Sequence, residues 1–107
     1  MTPDDILNEL YAVLQERKTA PVDKSYVASL YAGGMRKIAK KLGEEATEVV
    51  IAGLNGDETE IINEMSDLWF HSLVLMAAQD IPPEKVLVEL SRRFGRSGIE
   101  EKASRGT

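Results

Sequence analysis

The sequence predicts an all-α fold, an antiparallel helical bundle completed by homo-oligomerisation. Three observations carry this prediction. Apolar residues recur at helical spacing in successive segments, and turn-forming Gly, Pro and Asn-Gly signals separate these segments. One helix is apolar nearly all round, which is more than a small domain can bury by itself. With 107 residues, no internal repeat and no composition break, residues 1–107 are expected to form a single domain.

The amino-acid composition argues against several classes of function. A formal net charge of -5 argues against nucleic-acid binding, which needs clustered Lys and Arg. No apolar run approaches the roughly 18 to 20 residues of a membrane span, and no signal peptide is recognisable, so we expect a cytoplasmic protein with no membrane partner. With no Cys and one His, any metal site must use mainly oxygen ligands, which suit Mg²⁺ or Mn²⁺.

The first predicted helix is capped by Thr2 and ends near Lys18. After a loop, Ser25 can cap a short helical segment over residues 26–32, which stops at Gly33-Gly34. The next long helix runs from residue 35 to about residue 54, with one apolar stripe and no period-2 strand pattern.

The third helix is predicted over residues 58–79, with Asp57 and Glu60 resembling a capping box. Its second half, LWFHSLVLMAA, is apolar on nearly every side, which predicts a subunit interface. A fourth helix covers EKVLVELSRRF and is expected to turn one apolar set inward. That set is Val86, Leu87, Leu90 and Phe94. Residues from about 96 to 107 read as a polar, mobile tail.

Two carboxylate pairs lie on consecutive helices. Residues three apart share a helix face, so Glu45 and Glu48 can point at one spot, and Glu64 and Asp67 repeat the arrangement. Glu44 projects further round toward solvent. The short NGD turn can bring the two pairs together, where their mutual repulsion would be relieved by a divalent cation. The sequence therefore predicts a cation site between these helices.

Lys37, Lys40 and Lys41 lie one to two turns before the glutamates and are candidates to bind phosphate. No GxxxxGK[ST] or GxGxxG loop occurs, so phosphate charge must be met by metal and basic side chains. The alternative is a solvated helix face, on which Lys41 simply pairs with Glu44 and Glu45 for about 0.3–0.5 kcal/mol each. His71, four residues after Asp67, is read as a core or interface residue.

The stretch GEEATEVVIAGLNGDETEIINEMSDLWFHSLVLM resembles the all-α nucleoside triphosphate pyrophosphohydrolases. Its flanks, SYVASLYAGGMRKIAKKLGEEATEVV and RSGIEEKASR, resemble the phosphoribosyl-ATP pyrophosphohydrolase family of histidine biosynthesis. The resemblance implies a homodimeric or higher assembly and Mg²⁺-dependent hydrolysis of phosphoribosyl-ATP to phosphoribosyl-AMP and pyrophosphate, the second step of that pathway. It implies that the metal ligands are Glu45, Glu48, Glu64 and Asp67, that Glu44 orients or deprotonates water, and that Ser25 and Tyr26 lie near the nucleotide.

Two other functions remain open at this point. One is a housekeeping pyrophosphatase of the same superfamily that acts on other nucleoside triphosphates. The other is a non-catalytic helical dimerisation module whose acidic faces are merely solvated. A ferritin-like di-iron site is disfavoured because it needs two Glu-x-x-His motifs, and neither Glu45 nor Glu64 has a His three residues on.

Overall fold

The computed structural model describes residues 5–94, which are helical and contain no strand. This confirms the all-α prediction. The elements are α1 (Ile6–Glu16), a 3-10 turn (Arg17–Thr19), α2 (Tyr26–Asn55), α3 (Glu58–Ala78) and α4 (Pro83–Arg92). None of these helices combines the length and apolar character needed to cross a membrane. The predicted cap at Thr2 and the predicted tail over residues 96–107 lie outside the described residues.

Helix α2 joins two segments that the sequence analysis separated. Ser25 caps it as predicted, since its hydroxyl accepts a hydrogen bond from the backbone N–H of Ala28 at 3.1 Å. The predicted stop at Gly33-Gly34 is a kink instead, because Gly34 alone leaves helical geometry (φ 82°, ψ 177°) before the helix resumes. A residue with a side chain rarely adopts that φ, which explains why glycine occupies this position.

The α2–α3 hairpin positions the candidate site. Gly56, which has a left-handed φ of 74°, caps the C-terminus of α2, and α3 begins two residues later. The Asp57 carboxylate caps α3 by accepting from the Thr59 N–H at 3.0 Å, while the Glu60 carboxylate accepts from the side-chain amide of Asn55 at 3.2 Å. This short turn makes the two helices antiparallel neighbours, and they pack more extensively than any other pair of elements.

The core lies where α1 and the first half of α2 meet the second half of α3. Its most deeply buried large side chains are Leu14, Leu30 and Val74. Each contributes on the order of 1.5–3 kcal/mol of burial free energy. The Tyr31 hydroxyl donates to the Leu14 carbonyl at 2.8 Å and so ties α2 to α1.

The prediction that α4 turns its apolar side chains inward is wrong for the single chain. Leu90 is 50% exposed and Phe94 80% exposed, and Val86 and Leu87 are also largely accessible. Three of these residues line an apolar groove of about 320 Å³ with Trp69 of α3, which is itself more than half exposed. Periodicity identifies which side of a helix is apolar, but it does not say what covers that side.

Candidate active site

Three carboxylates converge between α2 and α3. Glu45 projects from α2, Glu64 and Asp67 project from α3, and one oxygen of each lies within 4.8 Å of the others. Glu45 is buried, Glu64 is partly buried and Asp67 is exposed, so the cluster forms a rim open to solvent on one side. Magnesium–oxygen bonds of about 2.1 Å place neighbouring ligand oxygens about 3 Å apart and opposite ones about 4 Å apart. Small side-chain rotations would bring this group to that geometry.

The electrostatics of the cluster also suit a cation. Partial burial raises the pKa of Glu64, and the charges of Asp67, Glu48 and Glu45 raise it further. The negative charges therefore destabilise one another in the chain alone. A hard divalent cation with oxygen ligands would remove that repulsion, so the donor set fits the predicted metal.

The other two predicted carboxylates lie at the edges of this group. Glu48 is outside the set of oxygens within 4.8 Å, although its charge acts on Glu64. Glu44 lies on the side of α2 that faces the lysines, where its carboxylate is 3.8 Å from the Lys41 ammonium. The i,i+3 pattern placed Glu48 beside Glu45 and placed Glu44 further round the helix, but it could not say which of them lies closest to the carboxylates of α3.

Lys41 connects the carboxylate cluster to a basic cavity. Its ammonium lies 3.3 Å from a carboxylate oxygen of Glu45. The hydrogen bond to Glu45 is the largest cause of a raised Lys41 pKa, and the Tyr26 phenol and Glu44 raise it further. The helix-neighbour ion pairs of the solvated-face alternative therefore exist, but one of them is made with the buried member of the cluster.

The predicted phosphate-binding lysines line one cavity. Its volume is about 280 Å³, and its walls are Tyr26, Leu30, Lys37, Lys40, Lys41 and Glu44. Ser25 lies in a neighbouring cavity of about 370 Å³, to which Tyr26 also contributes. The structure thus brings the lysines and Tyr26 together in one cavity, whereas Ser25 lines the second cavity.

His71 is the site residue that sequence reasoning assigned only to packing. It is 6% exposed, and its Nδ1 lies 2.7 Å from the backbone carbonyl of Asp67. Because a carbonyl can only accept, Nδ1–H donates to it, and Nε2 shares a hydrogen bond of 2.9 Å with the Tyr26 hydroxyl. His71 therefore links a carboxylate-bearing turn of α3 to the aromatic wall of the lysine cavity. The i,i+4 spacing from Asp67 was the only sequence signal of this role.

Comparison with known proteins identifies the family of this chain. Residues 7–94 match the family model described as phosphoribosyl-ATP pyrophosphohydrolase. A phosphoribosyl-ATP pyrophosphatase from Geobacter metallireducens is 61% identical over 102 residues, covering 95% of this chain and 94% of that protein. Its counterpart from Methylococcus capsulatus is 58% identical over 101 residues, covering 94% of this chain and 96% of that protein. This chain therefore belongs to the phosphoribosyl-ATP pyrophosphohydrolase family.

Proposed function

We propose that this protein hydrolyses phosphoribosyl-ATP to phosphoribosyl-AMP and pyrophosphate, the second step of histidine biosynthesis, with Mg²⁺ as its metal and Mn²⁺ as a substitute. One observation carries the proposal. In a chain of this family, the convergent carboxylates of Glu45, Glu64 and Asp67 adjoin a cavity lined by three lysines. Acidic ligands for a hard cation beside cations for phosphate are what cleavage of a phosphoric anhydride requires.

The carboxylates have distinct roles in this proposal. Glu45, Glu64 and Asp67 would hold the metal, and Glu48, one turn along α2, would supply a further oxygen. Bound there, Mg²⁺ supplies positive charge for the phosphate oxygens and makes water a better nucleophile. Glu44, at the cavity side of the cluster, orients the attacking water or accepts its proton.

The lysines differ in how readily they can meet phosphate. Within residues 5–94, Lys37 and Lys40 have no carboxylate partner, whereas Lys41 is paired with Glu45 and Glu44. Lys37 and Lys40 are therefore the first cations available to the triphosphate. Lys41 would become available when the metal takes over the charge of Glu45. Tyr26, fixed by His71, and the neighbouring Ser25 contact the rest of the nucleotide.

We further propose a cytoplasmic homodimer or higher homo-oligomer. The apolar groove between α3 and α4, with Trp69, Leu87 and Leu90 about half exposed, is the surface that a second copy would cover. We propose the cytoplasm because the proposed nucleotide substrate would be available there. The formal net charge of -5 is consistent with a protein that does not bind nucleic acid.

Pyrophosphate release from phosphoribosyl-ATP tests the proposal. We expect release with Mg²⁺, loss with excess chelator, and recovery when Mg²⁺ or Mn²⁺ is restored. Glu45→Gln should lower kcat/KM by about 10²–10³-fold because it removes a charged metal ligand. Glu9→Gln, on the exposed face of α1, is the matched control and should match wild type.

Other outcomes would separate the alternatives. Release from other triphosphates with none from phosphoribosyl-ATP would indicate a housekeeping pyrophosphatase. No release from any nucleotide would indicate a non-catalytic module. Equal rates for wild type and Glu45→Gln, with the same helical circular dichroism, would contradict the metal site.

A further inference from the structure

A second basic cavity shares Tyr26 with the lysine cavity. Its volume is about 370 Å³, and its lining residues are Arg17, Ala20, Lys24, Ser25, Tyr26, Val27 and Phe70. No carboxylate lines this cavity. Tyr26 is the one residue that lines both basic cavities among the described residues, so its ring is their shared wall.

The two cations of this cavity are uncompensated. Over residues 5–94, neither Arg17 nor Lys24 makes an ion pair with a carboxylate. Their neighbour Lys18 behaves differently, since its ammonium lies 2.7 Å from the Asp80 carboxylate. These two consecutive basic residues therefore have different surroundings. The ion pair of Lys18 connects the 3-10 turn to the turn that follows α3, whereas Arg17 lines the cavity.

The backbone that carries these cations is held in place. The Ala20 N–H donates to the Arg17 carbonyl at 3.2 Å, and the Lys24 N–H donates to the Pro21 carbonyl at 3.1 Å. The shared wall is also held, because the Tyr26 hydroxyl is bonded to His71 and the two rings meet edge to face with centroids 5.8 Å apart. The backbone turns and the tyrosine are therefore fixed, while the exposed side chains of Arg17 and Lys24 are free to adjust to an anion.

The expected substrate carries two anionic groups. Phosphoribosyl-ATP has a triphosphate at one end and a phosphate monoester on the added ribose, with sugar and base between them. ATP has only the first of these groups. Two cationic cavities that share Tyr26 as a lining residue offer one cationic partner to each of these groups.

We propose that the cavity of Arg17 and Lys24 binds the phosphate monoester of the phosphoribosyl group while the lysine cavity binds the triphosphate. This inference rests on the proposed function and makes Arg17 and Lys24 specificity residues. The guanidinium of Arg17 can donate two parallel hydrogen bonds to phosphate oxygens, and Lys24 adds a second positive charge. Both groups would favour phosphoribosyl-ATP over a nucleotide that lacks the distal phosphate, because only phosphoribosyl-ATP carries a second anionic group for them to pair with.

Kinetics with two nucleotides test the inference. The variants are Arg17→Ala, Lys24→Ala and the double variant, and Lys85→Ala on exposed α4 is the matched control. For Arg17→Ala we expect the KM for phosphoribosyl-ATP to rise about tenfold to hundredfold with kcat nearly unchanged. The inhibition constant of ATP, measured as a competitor of phosphoribosyl-ATP, should stay at the wild-type value. Lys24→Ala should shift the same quantity less, and Lys85→Ala should shift neither.

Two results would overturn the inference. One is an unchanged KM in the double variant. The other is an equal rise in the KM for phosphoribosyl-ATP and the inhibition constant of ATP, which would place both cations on the triphosphate. Arg17→Gln and Arg17→Lys provide further tests if Arg17→Ala does not fold, and Arg17→Lys should retain part of the affinity because it retains the charge. Failure of the proposed function is a separate result, since the wild-type protein would then release no pyrophosphate from phosphoribosyl-ATP.

Discussion

The carboxylate site and the apolar groove both include residues of α3, but they differ in whether the chain itself satisfies their side chains. At the site, polar groups find partners within the chain: Lys41 pairs with Glu45, and His71 joins Tyr26 to the backbone of Asp67. At the groove, large apolar side chains such as those of Trp69 and Leu87 remain about half exposed. The first region is assembled by one hairpin, whereas the second has a face that nothing in the described chain covers.

This difference follows from the range of the interactions involved. The carboxylates come from helix neighbours three residues apart and from two helices joined by a two-residue turn. One chain can therefore form the cluster. The groove lies between α3 and the short helix α4, which has few contacts with the rest of the fold. Apolar area of that size is normally removed from water by a partner, and a second copy is the partner we propose.

The largest expected effect comes from a substitution in the carboxylate site. Asp67→Asn removes one negative charge from the cluster, and we expect kcat/KM for phosphoribosyl-ATP to fall about 10²–10³-fold with oligomeric state unchanged. Steady-state kinetics and light scattering after size-exclusion chromatography measure the two quantities. Glu84→Gln, at the exposed start of α4, is the control for loss of a surface charge. A fall in mass that accompanies the loss of activity would show that the two regions are not independent.

The second largest effect is expected from a charged substitution in the apolar groove. Leu87→Asp places a charge in the groove, which should weaken self-association because the charge would be desolvated in an interface. Sedimentation velocity over a range of protein concentrations measures the change. Val88→Asp is the matched control, since Val88 is on the same helix, is 68% exposed and does not line the groove. Equal behaviour of the two variants would argue against the groove as the interface.

The smallest effect is a gain in stability from Glu64→Gln. The folded-state pKa of Glu64 is raised above its ordinary value of 4.5, so ionised Glu64 destabilises the fold as pH rises above that value. Without metal, the variant should melt slightly above wild type at pH 7 to 8, and the difference should vanish toward pH 4. Added Mg²⁺ should raise the melting temperature of wild type more than that of the variant. Differential scanning fluorimetry across this pH range measures both effects. A variant that melts below wild type at pH 7 would contradict the repulsion argument.

The sequence by itself determined the all-α class, the helices apart from the predicted stop at Gly33-Gly34, the caps at Ser25 and Asp57, and the spacing of the carboxylates on each helix. These features depend on residues within a few positions of one another, so spacing of three or four residues identifies them. It also determined the family, because the motif and its flanks span nearly the whole chain. The spacing of Lys37, Lys40 and Lys41 along one helix likewise indicated that their side chains lie near one another, and they line one cavity.

Only the tertiary structure decided which of these groups meet. It placed Glu48 outside the tightest carboxylate group and joined Tyr26 to His71 across 45 positions of sequence. It also placed Arg17 beside Tyr26, and it left Phe94 exposed where the pattern predicted burial. Contacts between distant residues depend on how helices cross and on which surfaces a partner covers. A helical period specifies the direction of a side chain around its own axis, but it does not specify the position of the neighbouring helix.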